Sequence, residues 1–166
     1  MDVTIDSELR AGDLGRIVAQ HGRVYRAEHG FDERFEAYVA AGLAQAVLSR
    51  EPPGARFWIV RREDEFLGSA AVCPAGRGTG QFRWFPLEPA LRGMGLGRRL
   101  LDAALEHCAD VGFERVFLWT VTGLDASATL YRRAGFAETE RRPLAAPWGV
   151  PVTEVRWELA LSGTGL

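Results

Sequence analysis

The segment Arg92-Gly93-Met94-Gly95-Leu96-Gly97-Arg98 leads directly into the strongest helical stretch, and it constrains the fold more than any other feature. The first turn of a helix carries backbone N–H groups without intrahelical partners, and the helix dipole favours an anion beside them. Glycines remove the Cβ atoms that would keep phosphate oxygens away from that backbone. Arg92 and Arg98 place bidentate cationic donors on either side. A pyrophosphate suits such a turn, although glycine spacing alone fits a ligand-free strand-to-helix turn equally well. A Walker loop requires GxxxxGK[ST], and the chain contains no lysine. A dinucleotide fingerprint requires GxGxxG directly after the first strand of a βαβ unit. Here the spacing is GxGxG, Pro89 intervenes, and helices and a hairpin come first.

Periodicity supplies the surrounding elements. Residues 3–9 alternate weakly and read as a first strand. Asp13 reads as an N-cap, followed at helical spacing by Leu14, Ile17, Val18, His21 and Tyr25 up to Gly30. Asp32 caps a second helix with Phe35, Val39, Leu43 and Val47 on one face, and Pro52-Pro53-Gly54 ends it. Residues 57–60 and 66–73 flank the charged turn Glu63-Asp64-Glu65 as a hairpin. A strand over 81–87 contains Pro86, so it must lose a neighbour or bulge there. The helix after the glycines carries Leu100, Leu101, Ala104, Leu105, Cys108 and Val111, and Gly112 stops it. Residues 114–121 read as a strand buried on both faces, and 126–134 as a short helix ended by Gly135. Strands over 136–140 and 152–161 close the chain, with 143–151 between them.

With 166 residues, 47% hydrophobic and 25% charged, the expectation is a single α+β domain spanning 1–166. A formal charge of −2 provides no general attraction for nucleic acid or anionic lipid. Cys73 and Cys108 lie in apolar stretches without CxxC spacing, which predicts buried thiols. With only three histidines, no metal site is expected. No apolar run is long enough to cross a bilayer and no signal pattern opens the chain, so a cytoplasmic location is expected.

Residues 87–101, Leu-Glu-Pro-Ala-Leu-Arg-Gly-Met-Gly-Leu-Gly-Arg-Arg-Leu-Leu, resemble the coenzyme A signature of GNAT N-acetyltransferases. Leu130-Tyr131-Arg132-Arg133-Ala134-Gly135-Phe136 resembles the second motif of that family, Leu-Tyr-x-x-x-Gly-Phe, in the right order and at an ordinary distance. His21-Gly22, Tyr25, residues 28–30, Phe35-Glu36, Trp148-Gly149 and residues 155–159 are similar to a bacterial subgroup often fused behind a MarR-type winged-helix regulator. The sequence here opens at Met1 without such a region, and no DNA-binding role is expected. The resemblance implies a GNAT fold: a mixed, mostly antiparallel sheet of six or seven strands flanked by helices, whose two central parallel strands splay apart. Pantetheine lies in that gap.

The same resemblance implies a function, transfer of the acetyl group of acetyl-CoA to a primary amine in a ternary complex without metal. Phe85, Pro86, Leu87, Arg92, Gly93, Met94, Gly95, Leu96, Gly97, Arg98 and Tyr131 would hold the co-substrate. Tyr131 matches the general acid that protonates the departing thiolate, for which a phenol, neutral at pH 7, is suited. Many relatives carry an Asn seven residues before this Tyr, where Leu124 stands here, with Asp125 and Ser127 as nearby substitutes. Glu28 and Glu36 are the candidate bases, with Glu33, Glu88 or a water chain as rivals, and His21 reads as a packed residue. Tyr25 and Trp148 are candidates to wall the acceptor pocket, Trp148 from a Pro- and Gly-flanked loop. The acceptor is expected to be a small-molecule or peptide amine, and the protein a monomer or homodimer. The competing reading is a non-catalytic acyl-CoA binder or sensor on the same fold.

Overall fold

The structure, a computed structural model, describes residues 2–49 and 52–162. In chain order the elements are β1 (Val3–Asp6), α1 (Asp13–His29), α2 (Glu33–Leu48), β2 (Arg56–Arg62), β3 (Glu65–Pro74) and β4 (Thr79–Arg83). A 3-10 turn (Pro89–Leu91) leads to α3 (Leu96–Asp110), β5 (Arg115–Val121), α4 (Asp125–Arg133), β6 (Ala137–Leu144) and β7 (Val152–Ala160). No described helix is long and apolar enough to cross a membrane.

The strands form one sheet in the order β1-β2-β3-β4-β5-β7-β6, antiparallel except for the β4–β5 pair. Side chains alternate across a strand, and both faces of β2 are buried. Trp58 and Val60 join Leu100, Leu101 and Cys108 of α3, whereas Phe57 and Ile59 join Ile17 of α1 and Val39 and Leu43 of α2. Helices therefore cover both faces, giving the three-layer mixed fold expected. Both cysteines are free and buried.

The two central parallel strands part. They pair only where Thr79, Gly80 and Gln81 meet Arg115, Val116 and Phe117. Beyond that point β5 follows β7 through Val121, while β4 stays on β3 through Arg83. Trp84 then adopts φ +48°, outside the strand conformation, and Ser69 Oγ donates to its carbonyl at 2.8 Å. The chain returns to β3 through Ser69 N–H to Pro86 O (3.3 Å) and Glu88 N–H to Leu67 O (3.1 Å). Gly68 permits this approach, because a Cβ there would lie 2.8 Å from the Pro86 carbonyl oxygen.

The expected strand over 81–87 is thus corrected to β4, which starts at Thr79 and stops at Arg83. Four further expectations change. Asp13 is the first residue of α1 rather than its cap, since Gly12 occupies the N-cap at φ +93°. Strand β5 buries Val116 and Leu118 on one face, while Phe117 and Trp119 on the other lie under Arg156 and Arg142, at 4.0 and 4.6 Å from the ring centres. Strand β6 continues through Pro143 to Leu144, which an edge strand tolerates because one side needs no donor. Val47, assigned to the buried face of α2, is 40% exposed.

Asp13 turns its carboxylate inward to Arg61 of β2, with Nη1 at 3.1 Å and Nη2 at 2.6 Å, and both side chains are buried. The Arg10 N–H adds a third donor at 2.7 Å. Burial alone would raise the Asp13 carboxyl, but the Arg61 hydrogen bonds and the Arg10 amide outweigh it and hold it below the ordinary range. Asp13→Ala leaves the buried Arg61 only its 3.5 Å contact with Asp6 and is expected to cost about 3 kcal/mol in denaturant unfolding. Asp13→Leu/Arg61→Met should cost clearly less than either single change, since no charge is left unpaired. Because the folded carboxyl is depressed, its contribution is present above the ordinary Asp value of about 3.9 and fades as pH falls through the lower folded value. The Leu/Met variant should therefore lose less stability between pH 5 and strong acid.

Candidate active site

Two connected hollows lie along the parted strands. The outer cleft, about 730 Å³, runs from the glycine turn past Phe85, Pro86 and Leu87 to the start of α4. The inner cavity, about 130 Å³, lies under α1, α2 and Trp148. Tyr25, Phe85, Leu124 and Ser127 line both, so the hollows meet there.

At the outer end, Gly95 is the N-cap of α3 at φ +76°, with no side chain completing the cap. The first helical bond of α3 is Arg99 N–H to Gly95 O at 3.1 Å. The amides of residues 95–98 therefore remain available to an anion. Gly93 adopts φ +81°, and neither Gly93 nor Gly95 has an atom within 4 Å of its Cβ position, so the turn is open on its outer side. Arg92 pairs with Glu28 at 2.5 Å and Arg98 with Asp102 at 2.8 Å. Arg133 also lines the cleft, with no carboxylate partner among the described residues. Sequence reading passed over Arg133, although it lies two residues after Tyr131 in the second motif. Met94 is 60% exposed and Leu96 is buried in the core, and neither is among the residues lining the cleft.

Between the two ends lies Leu87. Pro86 O and Glu88 N–H both point to β3 around the Gly68–Leu87 bridge. Strand alternation directs the Leu87 N–H and C=O to the opposite side, the open edge of the gap.

At the inner end, α4 delivers Tyr131, buried against Phe136 and Trp157, and no described group hydrogen-bonds its hydroxyl. Burial pushes its phenol above the ordinary range, with Tyr25 adding to the effect. Burial, then Glu28, raise Tyr25 to about 12 against the opposing pull of Arg92. Trp148 packs on Phe31 and Phe35, with ring centres 5.0 Å apart in each case, and its carbonyl accepts the Asp32 N–H at 3.0 Å. Tyr25 and Trp148 thus both wall the inner cavity.

The carboxylates divide differently. Glu28 lines the outer cleft, engaged by Arg92. Glu36 is exposed on α2 and packs where a Cβ on Gly22 would stand, away from both hollows. Glu88 is tied to Arg23 and Gln20, anchoring the chain after β4 to α1. Glu154 of β7, unremarked in the sequence, lines the inner cavity and is held by Arg142 at 2.6 Å. Only strand pairing brings it there. His21 lines the inner cavity, is buried, and its Nδ1–H donates to Ile17 O at 2.7 Å, which leaves Nε2 as the acceptor of the ring. Burial lowers its pKa to about 4, so the ring is neutral at pH 7.

A family model described as the acetyltransferase (GNAT) family matches residues 12–136. A mycothiol acetyltransferase of Thermobispora bispora is 38% identical over 60% of this chain and 33% of its own length. An amino-acid acetyltransferase of Mycobacterium tuberculosis is 28% identical over 54% of this chain and 51% of its own. An uncharacterized N-acetyltransferase of Escherichia coli is 27% identical over 66% of this chain, so this chain spans 60% or less of the curated relatives described. Among solved structures, a spermidine N-acetyltransferase from Vibrio cholerae in complex with CoA and spermine superposes with TM-score 0.71 at 16% identity. The superposition covers 97% of this chain and 96% of that one. An acetyltransferase from Streptococcus agalactiae reaches TM-score 0.76 at 21% identity, over 96% and 98% of the two chains.

The turn makes its own prediction. Gly95→Val has room for its side chain but must hold a branched residue at φ +76° in front of the open amides. The variant should fold with a loss of about 1–3 kcal/mol and lose the thermal shift that coenzyme A gives the parent. A folded variant with unchanged coenzyme A affinity makes the glycine a turn residue only.

Proposed function

The chain belongs to the acetyltransferase (GNAT) family, and on that premise we propose that it moves the acetyl group of acetyl-CoA to a primary amine by direct attack in a ternary complex. The observation carrying this reading is the continuity of the two hollows, from bare helix amides past an unpaired strand edge to a buried phenol. Acetyl-CoA supplies an activated thioester and, after attack, a thiolate leaving group.

The chain's own groups divide the work along that path. Amides of residues 95–98, with Arg92, Arg98 and Arg133, hold the pyrophosphate. The Leu87 edge pairs with the amides of the pantetheine arm, and its N–H is a donor for oxygen that gains charge during attack. Tyr131 keeps its proton at working pH, because its phenol is pushed upward, and offers it where the thiolate departs. For the amine's proton, the inner wall presents two acceptors among the described residues, the Glu154 carboxylate and neutral His21 Nε2. Glu28 lines only the outer cleft and Glu36 lies outside both hollows, which favours Glu154 or His21 over both. Cys73 and Cys108 are raised by burial to about 11 and about 12, unsuited to covalent attack.

Acetyl-CoA at a hundred times its Kd should stabilise the fold by about 2.7 kcal/mol, read as a rise in Tm. A rise with NAD or ATP and none with acetyl-CoA contradicts the reading. Binding without turnover on a broad amine panel supports the sensor instead. Tyr131→Phe keeps the packed ring and loses only the hydroxyl, so Kd for acetyl-CoA should hold while kcat falls about 10²-fold where chemistry limits. Equal kcat across pH for the two proteins would remove Tyr131 from the role of acid.

A further inference from the structure

The inner cavity has two ionised groups on its wall, Arg83 and Glu154. Glu154 has its cation in Arg142. Arg83 has no carboxylate partner among the described residues, although it is half-buried at the end of β4. It is also held in place. Its guanidinium lies over the Trp84 ring at 4.3 Å, and a Cβ on Gly42 of α2 would stand 2.9 Å from Nη2 and 3.1 Å from that ring. Trp84 itself sits at φ +48°, a strained conformation for a side-chain-bearing residue that persists where surroundings enforce it. A partly desolvated cation fixed against a ring on the wall of a cavity suits a planar anion.

Resting on the acetyl-transfer reading above, we infer that Arg83 reads a carboxylate on the acceptor, whose amine is the acetylated group. A phosphate dianion fits poorly, because the wall offers one unpaired cation and already carries the Glu154 carboxylate. The unpaired Arg83 on this wall matches a single carboxylate on the acceptor. The cavity of about 130 Å³ compares with the benzene-holding cavity of about 150 Å³ known in protein interiors. Aromatic walls from Phe35, Trp84, Trp119 and Trp148 suit an apolar body of one ring or a short branched chain. The acceptor class is therefore a small apolar amino acid or a compact amino-carboxylate.

The experiment uses matched pairs: phenylalanine with 2-phenylethylamine, tyrosine with tyramine, leucine with 3-methylbutylamine. Thiol release from acetyl-CoA is followed, and the Tm shift with acetyl-CoA is recorded for each protein. At least one carboxylate-bearing member should exceed its partner in kcat/KM by tenfold or more, the size of a charge-assisted bidentate contact. Arg83→Gln should bring that ratio close to one while the Tm shift with acetyl-CoA remains, and Arg83→Lys should keep part of the preference. Acetylation without a carboxylate preference, or a preference unchanged in Arg83→Gln, overturns the role of Arg83 and leaves acetyl transfer standing. No acetylation of any pair despite a Tm shift overturns this inference, and turnover on a broad amine panel then shows whether the transfer reading stands.

Discussion

Strands β4 and β5 begin as hydrogen-bonded neighbours and then follow different partners, β4 staying with β3 and β5 with β7. Interior backbone N–H and C=O groups are obligatory hydrogen-bonding groups, and a sheet that opens between its central strands leaves some without a partner. The opening persists because β3 holds the departing chain through Ser69, Gly68 and Leu67 on one side of Leu87. Its other side is then a short unpaired edge within the protein, the kind of edge that accepts an extended ligand as an added strand. The crossover through α3 brings a bare helix N-terminus to one end of this edge, and α4 brings Tyr131 to the other.

Charge follows the same axis. The outer cleft gathers Arg92, Arg98 and Arg133, two of them paired with surface carboxylates. Those pairs are nearly half exposed on the arginine side, so water and salt weaken them and an incoming pyrophosphate can take their place. Deeper in, the phenols of Tyr25 and Tyr131 are held protonated by burial and His21 is held neutral. Cations thus gather at the mouth, where the proposed reading places phosphates, and neutral proton donors and acceptors lie where the chemistry is proposed. The buried Asp13–Arg61 pair serves a different end, fixing the start of α1 to β2 so that Tyr25, further along the helix, reaches both hollows.

Local signals carried much of this in the sequence. Asp32 caps α2 by accepting the Arg34 N–H, Gly30 ends α1 at φ +73°, and Gly135 follows α4 at φ +98°. The glycine turn and Tyr131, one from each motif, lie at opposite ends of the connected hollows. What escaped depends on distant pairing. Asp13 reads locally as a cap, yet its partner Arg61 is 48 residues away. The end of β4 is set by Trp84 adopting φ +48°, which no local propensity of Trp suggests. Apolar Phe117 and Trp119 imply burial on both faces of β5, but arginines from neighbouring strands cover one face. Arg83 and Glu154 look like ordinary polar strand positions until the sheet places both on one cavity wall.

An open edge at Leu87, completed by the backbone-like arm of coenzyme A, is what the proposed reaction depends on. Amide hydrogen exchange resolved to single residues reads that edge directly, because protection reports hydrogen bonding and local opening. In the free protein the Leu87 N–H should exchange fast while its neighbour Glu88, bonded to Leu67 O, exchanges slowly. Saturating coenzyme A should slow Leu87 strongly, along with the amides of residues 95–98, and leave Glu88 little changed. Protection of Leu87 already present without ligand, or no change at Leu87 when the 95–98 amides become protected, would contradict a ligand-completed strand edge.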